Sequence, residues 1–167
     1  MRFICATCNT EHDLEEISFG TEAPVQWDLL NNEERARSML GGEQCEIESS
    51  EGRSYYIRGC LEIPIQGTER KFTWGVWCSL SEKSYSEVVE HWDDAGRTKL
   101  GPYFGWLCTK IPGYPDTMFL KTMVHQREVG LRPLVKVEST DHPLAVDQRN
   151  GIEEDRLKKL VVELLHP

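Results

Sequence analysis

The chain has 167 residues, 39% of them hydrophobic, which is enough apolar material for a core and too much for a disordered segment. Its net charge of −9 sets the mean field against phosphate backbones and anionic lipids, so nucleic acid and membrane surfaces are not expected partners. No apolar run reaches the roughly 18 residues of a membrane span, "MRFICATCNTEHD" turns polar too early for a signal peptide, and the six cysteines therefore read as thiols or metal ligands of a cytoplasmic protein rather than as disulfides.

The acidity is uneven. Residues 1–84 carry 8 Lys/Arg against 15 Asp/Glu, and residues 85–167 carry 11 against 13, so a local basic patch is compatible with the second half alone. The length fits one domain, 1–167, opening on a cysteine turn over 1–16.

In "FICATCNTEHDL" Cys5 and Cys8 stand three apart, with His12 four beyond. Three readings compete. As a zinc knuckle, the two thiolates bind one metal while turn amides donate to the sulfurs. His12 is then the third ligand, and Cys45 in "EQCEIE" is the first choice for a distant fourth. As a redox pair, the first thiol needs a helix N-terminus behind it; "NTEHDLEE" starts no convincing helix, and Glu11, Asp13, Glu15 and Glu16 should raise the thiol pKa values. As plain structure, the turn holds two buried thiols. The metal reading leads, with zinc as the expected ion.

The stretch 24–40, "PVQWDLLNNEERARSML", reads as helical or part-helical, with Pro24 at its start, Gly41-Gly42 at its end and Trp27, Leu30 and Leu40 as candidate core contacts. The period then changes to two. "SYYIRGCLEIPI" alternates Tyr55, Ile57, Leu61, Ile63 and Ile65 with Tyr56, Arg58, Cys60 and Glu62, and "RKFTWGVWCSL" follows a turn at Gly67, so the two predict an antiparallel hairpin. In the second strand Trp74, with Val76, Cys78 and Leu80, belongs to the core; Trp77 is either covered by a helix or exposed. Ser84 and Glu87 have the spacing of a capping box for a mid-chain helix ending near Gly96. Strands are expected around 103–110, 119–128 and 131–139. Helices close the chain, the last with Leu157, Leu160, Val161 and Leu164 on one stripe. The fold class is α+β: a mainly antiparallel sheet with helices near both termini and one mid-chain.

The stretches "FICATC…H", "YYIRGCLEIPI", "FTWGVWCSLSE", "YFGWLCTKIPGYPDT" and "TDHPLAVDQRNGI" together resemble the bacterial uncharacterised family called domain of unknown function 2199. The resemblance implies a small bacterial protein and brings no activity with it. The family pattern has Gly after the second Cys where this chain has Asn9, the non-glycine residue best suited to a left-handed backbone.

Two further groups invite function. "TDHPLAVDQRNG" offers His142 as a general base oriented by Asp141, against a structural reading in which Thr140 or Asp141 caps a helix that starts at Pro143. His91 and His166 read as solvated, the latter at a frayed helix end. Arg58, His125 and Arg127 fall on a polar sheet face, with Arg the residue type favoured in binding hot spots; solvent exposure is the plainer explanation. No phosphate-loop, dinucleotide, H-E-x-x-H or G-x-S-x-G motif occurs. The leading expectation is a non-catalytic interaction domain with a protein partner and an N-terminal zinc; the alternative is a small enzyme, for example a hydrolase, using His142 and Asp141 or an open metal site.

Overall fold

The computed structural model describes residues 2–5, 7–13 and 18–166, so Glu15 and Glu16 lie outside the described residues. Strands β1 (Arg2–Ile4) and β2 (Glu11–Asp13) form an antiparallel hairpin around the cysteine turn. After β3 (Phe19–Gly20) the stretch 24–40 is part-helical, holding α1 (Val25–Asp28) and α2 (Asn32–Arg37), with Leu40 in strand β4 (Met39–Leu40). The break falls at Asn31. Its side chain accepts from the Glu34 amide while Glu34 accepts from the Asn31 amide, a capping box that begins a new helix.

Strands β5 (Gln44–Ser49), β6 (Gly52–Pro64) and β7 (Lys71–Leu80) follow, and β6–β7 is the antiparallel hairpin read from the alternation, in register from Tyr55↔Leu80 to Pro64↔Lys71. Helix α3 (Glu82–Glu90) starts a turn earlier than the Ser84–Glu87 spacing implies, because Ser81 is the cap and accepts from the Ser84 amide at 3.1 Å. Gly96 does not end it: the residue sits in a separate 3-10 turn, Ala95–Lys99, capped by Asp94. Strands β8 (Tyr103–Leu107), β9 (Lys121–His125) and β10 (Leu134–Val137) then lead to helices α4 (Pro143–Asn150) and α5 (Glu154–Leu165). No helix among the described residues is long and apolar enough to cross a membrane.

Strands β6 to β10 close into a small barrel: β6–β7, β7–β8, β8–β9 and β9–β10 are antiparallel, and β10 returns to β6 in parallel. The parallel seam follows from parity. Five strands that alternate in direction bring the last alongside the first pointing the same way, so closure of an odd ring needs one parallel pair. Alternate residues fill the interior: Ile57, Leu61 and Ile63 from β6, Trp74, Val76 and Cys78 from β7, Leu107, Val124 and Val135 from the rest. Tyr85 and Val88 of α3, Leu144 of α4 and Leu157, Leu160 and Val161 of α5 extend this core, so the stripe expected on the last helix is buried as its spacing requires.

Glycine is required where the barrel closes. A Cβ on Gly59 would lie 2.6 Å from Val135 Cγ2 and 2.9 Å from the Pro133 carbonyl oxygen, so only a bare Cα lets β10 reach β6. A second, smaller core of Cys45, Ile47, Tyr56, Trp77 and Cys108 lies on the outer side of β6 and β7, with Trp27 and Leu30 packed against it. Trp77 is fully buried there and donates its indole N–H to the Thr21 carbonyl at 3.1 Å.

The edge of β6 that faces away from β7 serves two neighbours. Residues 52–57 pair with β5, and Cys60 pairs with Leu134 of β10. Between them β5 and β10 diverge, leaving a fork that Glu43 and Arg132 span: the Arg58 amide donates to the Glu43 carbonyl, and the Cys60 amide to that of Pro133.

Candidate metal centre

The hairpin register Phe3↔His12 brings the two ends of the cysteine motif together. In the turn, the Cys5 amide donates to the Thr10 carbonyl at 2.9 Å and the Asn9 amide to the Cys5 carbonyl at 2.8 Å. Asn9 takes φ 54°, the left-handed position expected of a residue standing where glycine is usual; Asn tolerates it better than other side chains. This conformation folds Cys8 back, so that its Sγ lies 3.3 Å from His12 Nε2.

The fourth group comes from the other end of the chain. His166, just past α5, places Nε2 3.4 Å from Cys5 Sγ, and the ligand atoms of Cys5, Cys8, His12 and His166 all lie within 4.8 Å of one another. A tetrahedral zinc with Zn–S near 2.3 Å and Zn–N near 2.0–2.1 Å sets neighbouring S and N ligands roughly 3.5 Å apart. Both measured S···N separations fit that spacing. Cys5 is closed to solvent and Cys8 is exposed, so the set is reached from one side.

The electrostatics favour thiolate. The Cys8 amide holds the Cys5 thiol below its ordinary range, against burial and with help from the Thr7 amide and His166. The Thr10 hydroxyl and amide do the same for Cys8. Of the acidic neighbours expected to raise the thiols, Glu11 and Asp13 instead engage Arg2 at 3.6 and 3.4 Å, and both thiols shift downward. The pair is followed by strand β2, not by a helix whose dipole would serve a redox thiol.

Cys45, the fourth ligand expected from the sequence, is instead buried in the second core, where burial first and Glu46 second push its thiol up to about 12. Burial likewise holds Cys78 near 12. His166 was read as solvated, yet it is half-buried against Cys5. The local pattern offered little to find it by: it follows the amphipathic stripe of α5 and stands 161 positions from its partner.

The remaining candidates have structural partners. His142 is itself the cap of α4 in place of Thr140 or Asp141: Nδ1 accepts from the Leu144 amide at 3.2 Å, and Nε2 lies 3.2 Å from the Asp116 carbonyl, to which it donates. The imidazole Nδ1 has the same reach from the backbone as the Oδ1 of Asn, which explains why a histidine can cap. Asp141 is exposed, and the His142 ring nitrogens point to backbone groups instead.

The polar face is largely covered rather than open. Arg127 donates to Glu62 at 2.9 Å and to the Arg132 carbonyl at 2.5 Å. Arg58 lies 5.9 Å over the Trp77 ring and donates to the Gly42 carbonyl. His125 is half-buried, and burial, with Lys136 second, keeps its imidazole below the ordinary range. Burial pushes the Glu62 carboxyl up, but Lys71 and Arg127 outweigh it and hold the group below its usual value.

A family profile, domain of unknown function 2199, described as an uncharacterized protein conserved in bacteria, matches residues 4–152. No curated protein and no solved structure matches the chain.

Proposed function

As the chain belongs to the bacterial family domain of unknown function 2199, we propose its role from the geometry of its own side chains: a non-catalytic interaction domain whose two ends are tied by one structural zinc ion. The observation that carries this reading is the convergence of Cys5, Cys8, His12 and His166 within 4.8 Å. Two thiolates and two imidazoles make a donor set suited to zinc, and four protein ligands leave no position for water or substrate. Such a closed site adds stability rather than reactivity. The non-catalytic part of the reading is supported by His142, whose ring nitrogens are both engaged by backbone groups.

Elemental analysis of protein purified without chelator tests the metal. About one equivalent of zinc is expected in the wild type, falling below roughly a tenth in Cys8→Ser and in His166→Ala, because structural zinc binds tightly enough to survive purification only with its full donor set. Zinc retained by both variants refutes this site. X-ray absorption on the zinc-loaded protein then counts ligands: two sulfurs and two nitrogens fit the closed site, whereas three protein ligands and an oxygen favour the hydrolase alternative.

A further inference from the structure

At the fork between β5 and β10 lies a cavity of about 440 Å³ lined by Glu43, Trp92, Arg97, Arg127, Leu131 and Arg132, within the size range of small-molecule sites. Its chemistry is unusual for a structural seam. Arg97 is 1% exposed, and among the described residues its guanidinium donates only to carbonyls: that of Arg127 through Nε at 2.7 Å, that of Leu131 through Nη2 at 2.7 Å, and that of Trp92 through Nη1. These bonds use three of the five N–H groups that a guanidinium carries. They satisfy donors but supply no negative charge.

The neighbouring charges do not make up the difference. Arg132 spends its guanidinium on Glu43 in a two-pronged pair at 2.7 and 2.7 Å. Arg127 pairs with Glu62 at 2.9 Å, and Lys71 shares that carboxylate at 2.8 Å. Three guanidiniums thus face two carboxylates, one of which is divided with a lysine. A buried cation is costly unless an anion accompanies it.

We propose that this cavity binds a small carboxylate ligand, whose single negative charge balances Arg97 and whose apolar body rests against Trp92 and Leu131. A carboxylate can accept from the two N–H groups that the carbonyls leave on Arg97, one on each terminal nitrogen. A doubly charged phosphate fits less well, because Glu43 lines the same wall and repels the second charge. Trp92 already stacks on Arg97, with the guanidinium 4.9 Å from the ring centroid, so the cation is held in place before any ligand arrives. The site shares no residue with the Cys/His cluster and does not depend on the zinc.

Saturation-transfer NMR on the full-length protein at fixed ionic strength, with benzoate as probe and benzamide as its neutral counterpart, tests the proposal. Benzoate is expected to bind with a dissociation constant of about a few millimolar or below, and benzamide at least about tenfold more weakly. Arg132→Gln, which leaves Glu43 unpaired in the cavity wall, should weaken benzoate about tenfold or more; Glu43→Gln should preserve or strengthen it. Equal transfer to both probes overturns the proposal, as does displacement of benzoate by a lower concentration of inorganic phosphate. Should Arg132→Gln fail to fold, a loss of benzoate binding in a folded Glu43→Gln variant overturns it equally.

Discussion

The barrel closes over Leu61, Val76, Val124 and Val135, each with no measurable exposure, whereas the turn that carries Cys8 leaves residues 7–11 exposed. One region distributes its stability over many apolar contacts, at about 25 cal/mol for each Å² removed from water. The other has two strands of three residues, a few turn hydrogen bonds and four donor atoms from opposite ends of the sequence. A hairpin that small is marginal in water on its own. The contrast teaches that the barrel carries its own apolar core, while the terminal cluster has little besides its four converging donors to repay its ordering, which is the work that the proposed zinc would do.

The strongest way to break the barrel side of this contrast is Trp74→Ala. Trp74 is 3% exposed and packs edge-on against Phe72 at 5.2 Å, so chemical denaturation should show a loss of about 3–5 kcal/mol. A loss below about 1 kcal/mol would mean that the barrel interior does not depend on this side chain. Trp74 Nε1 has no hydrogen-bond partner among the described residues, which makes Trp74→Phe the milder change: it trades some packing for the removal of a buried donor.

Gly59→Ala sharpens the comparison at the seam. The added methyl meets Val135 and the Pro133 carbonyl, and overpacking of this kind costs about 1–3 kcal/mol. The same denaturation curves measure it. An unchanged midpoint would show that β10 can shift away from β6 without penalty.

Chelation should give the smallest global effect and the most local one. Removing zinc should move the barrel's unfolding midpoint less than either substitution does. Hydrogen exchange at the Cys5 and Asn9 amides, which close the turn, should accelerate about tenfold or more as the hairpin opens independently. Equal acceleration of amides in β6 and β7 would mean that hairpin and barrel unfold as one unit.

Much of the barrel was legible in the sequence because strand periodicity is local. Tyr55, Ile57, Leu61 and Ile63 alternate with Tyr56, Arg58, Cys60 and Glu62; that pattern specifies a strand and its inward face, and the Gly67 turn with "RKFTWGVWCSL" makes the hairpin. The cysteine turn was legible for the same reason: its spacing and Asn9 describe a conformation within one short segment. Helix limits were less readable. Ser81 caps in place of Ser84 and His142 in place of Thr140 or Asp141, since several polar side chains in each segment can reach an amide.

Three features belong to the tertiary structure. Closure of the barrel rests on a parallel contact between Cys60 and Leu134, which neither strand encodes by itself. The polar residues of β6, read as an outward face, meet Trp77 and Lys71 across the β6–β7 ladder, and Arg127 reaches Glu62 from beyond the end of β9. The fourth donor, His166, lies beyond the stretch shared with the family and 161 positions from Cys5. Spacing rules describe neighbours along a chain, and a ligand contributed across the whole fold has none. The sequence by itself determined the hairpin of β6 and β7 and which turn holds thiols. Only the packing of α5 against the barrel decided what those thiols would meet.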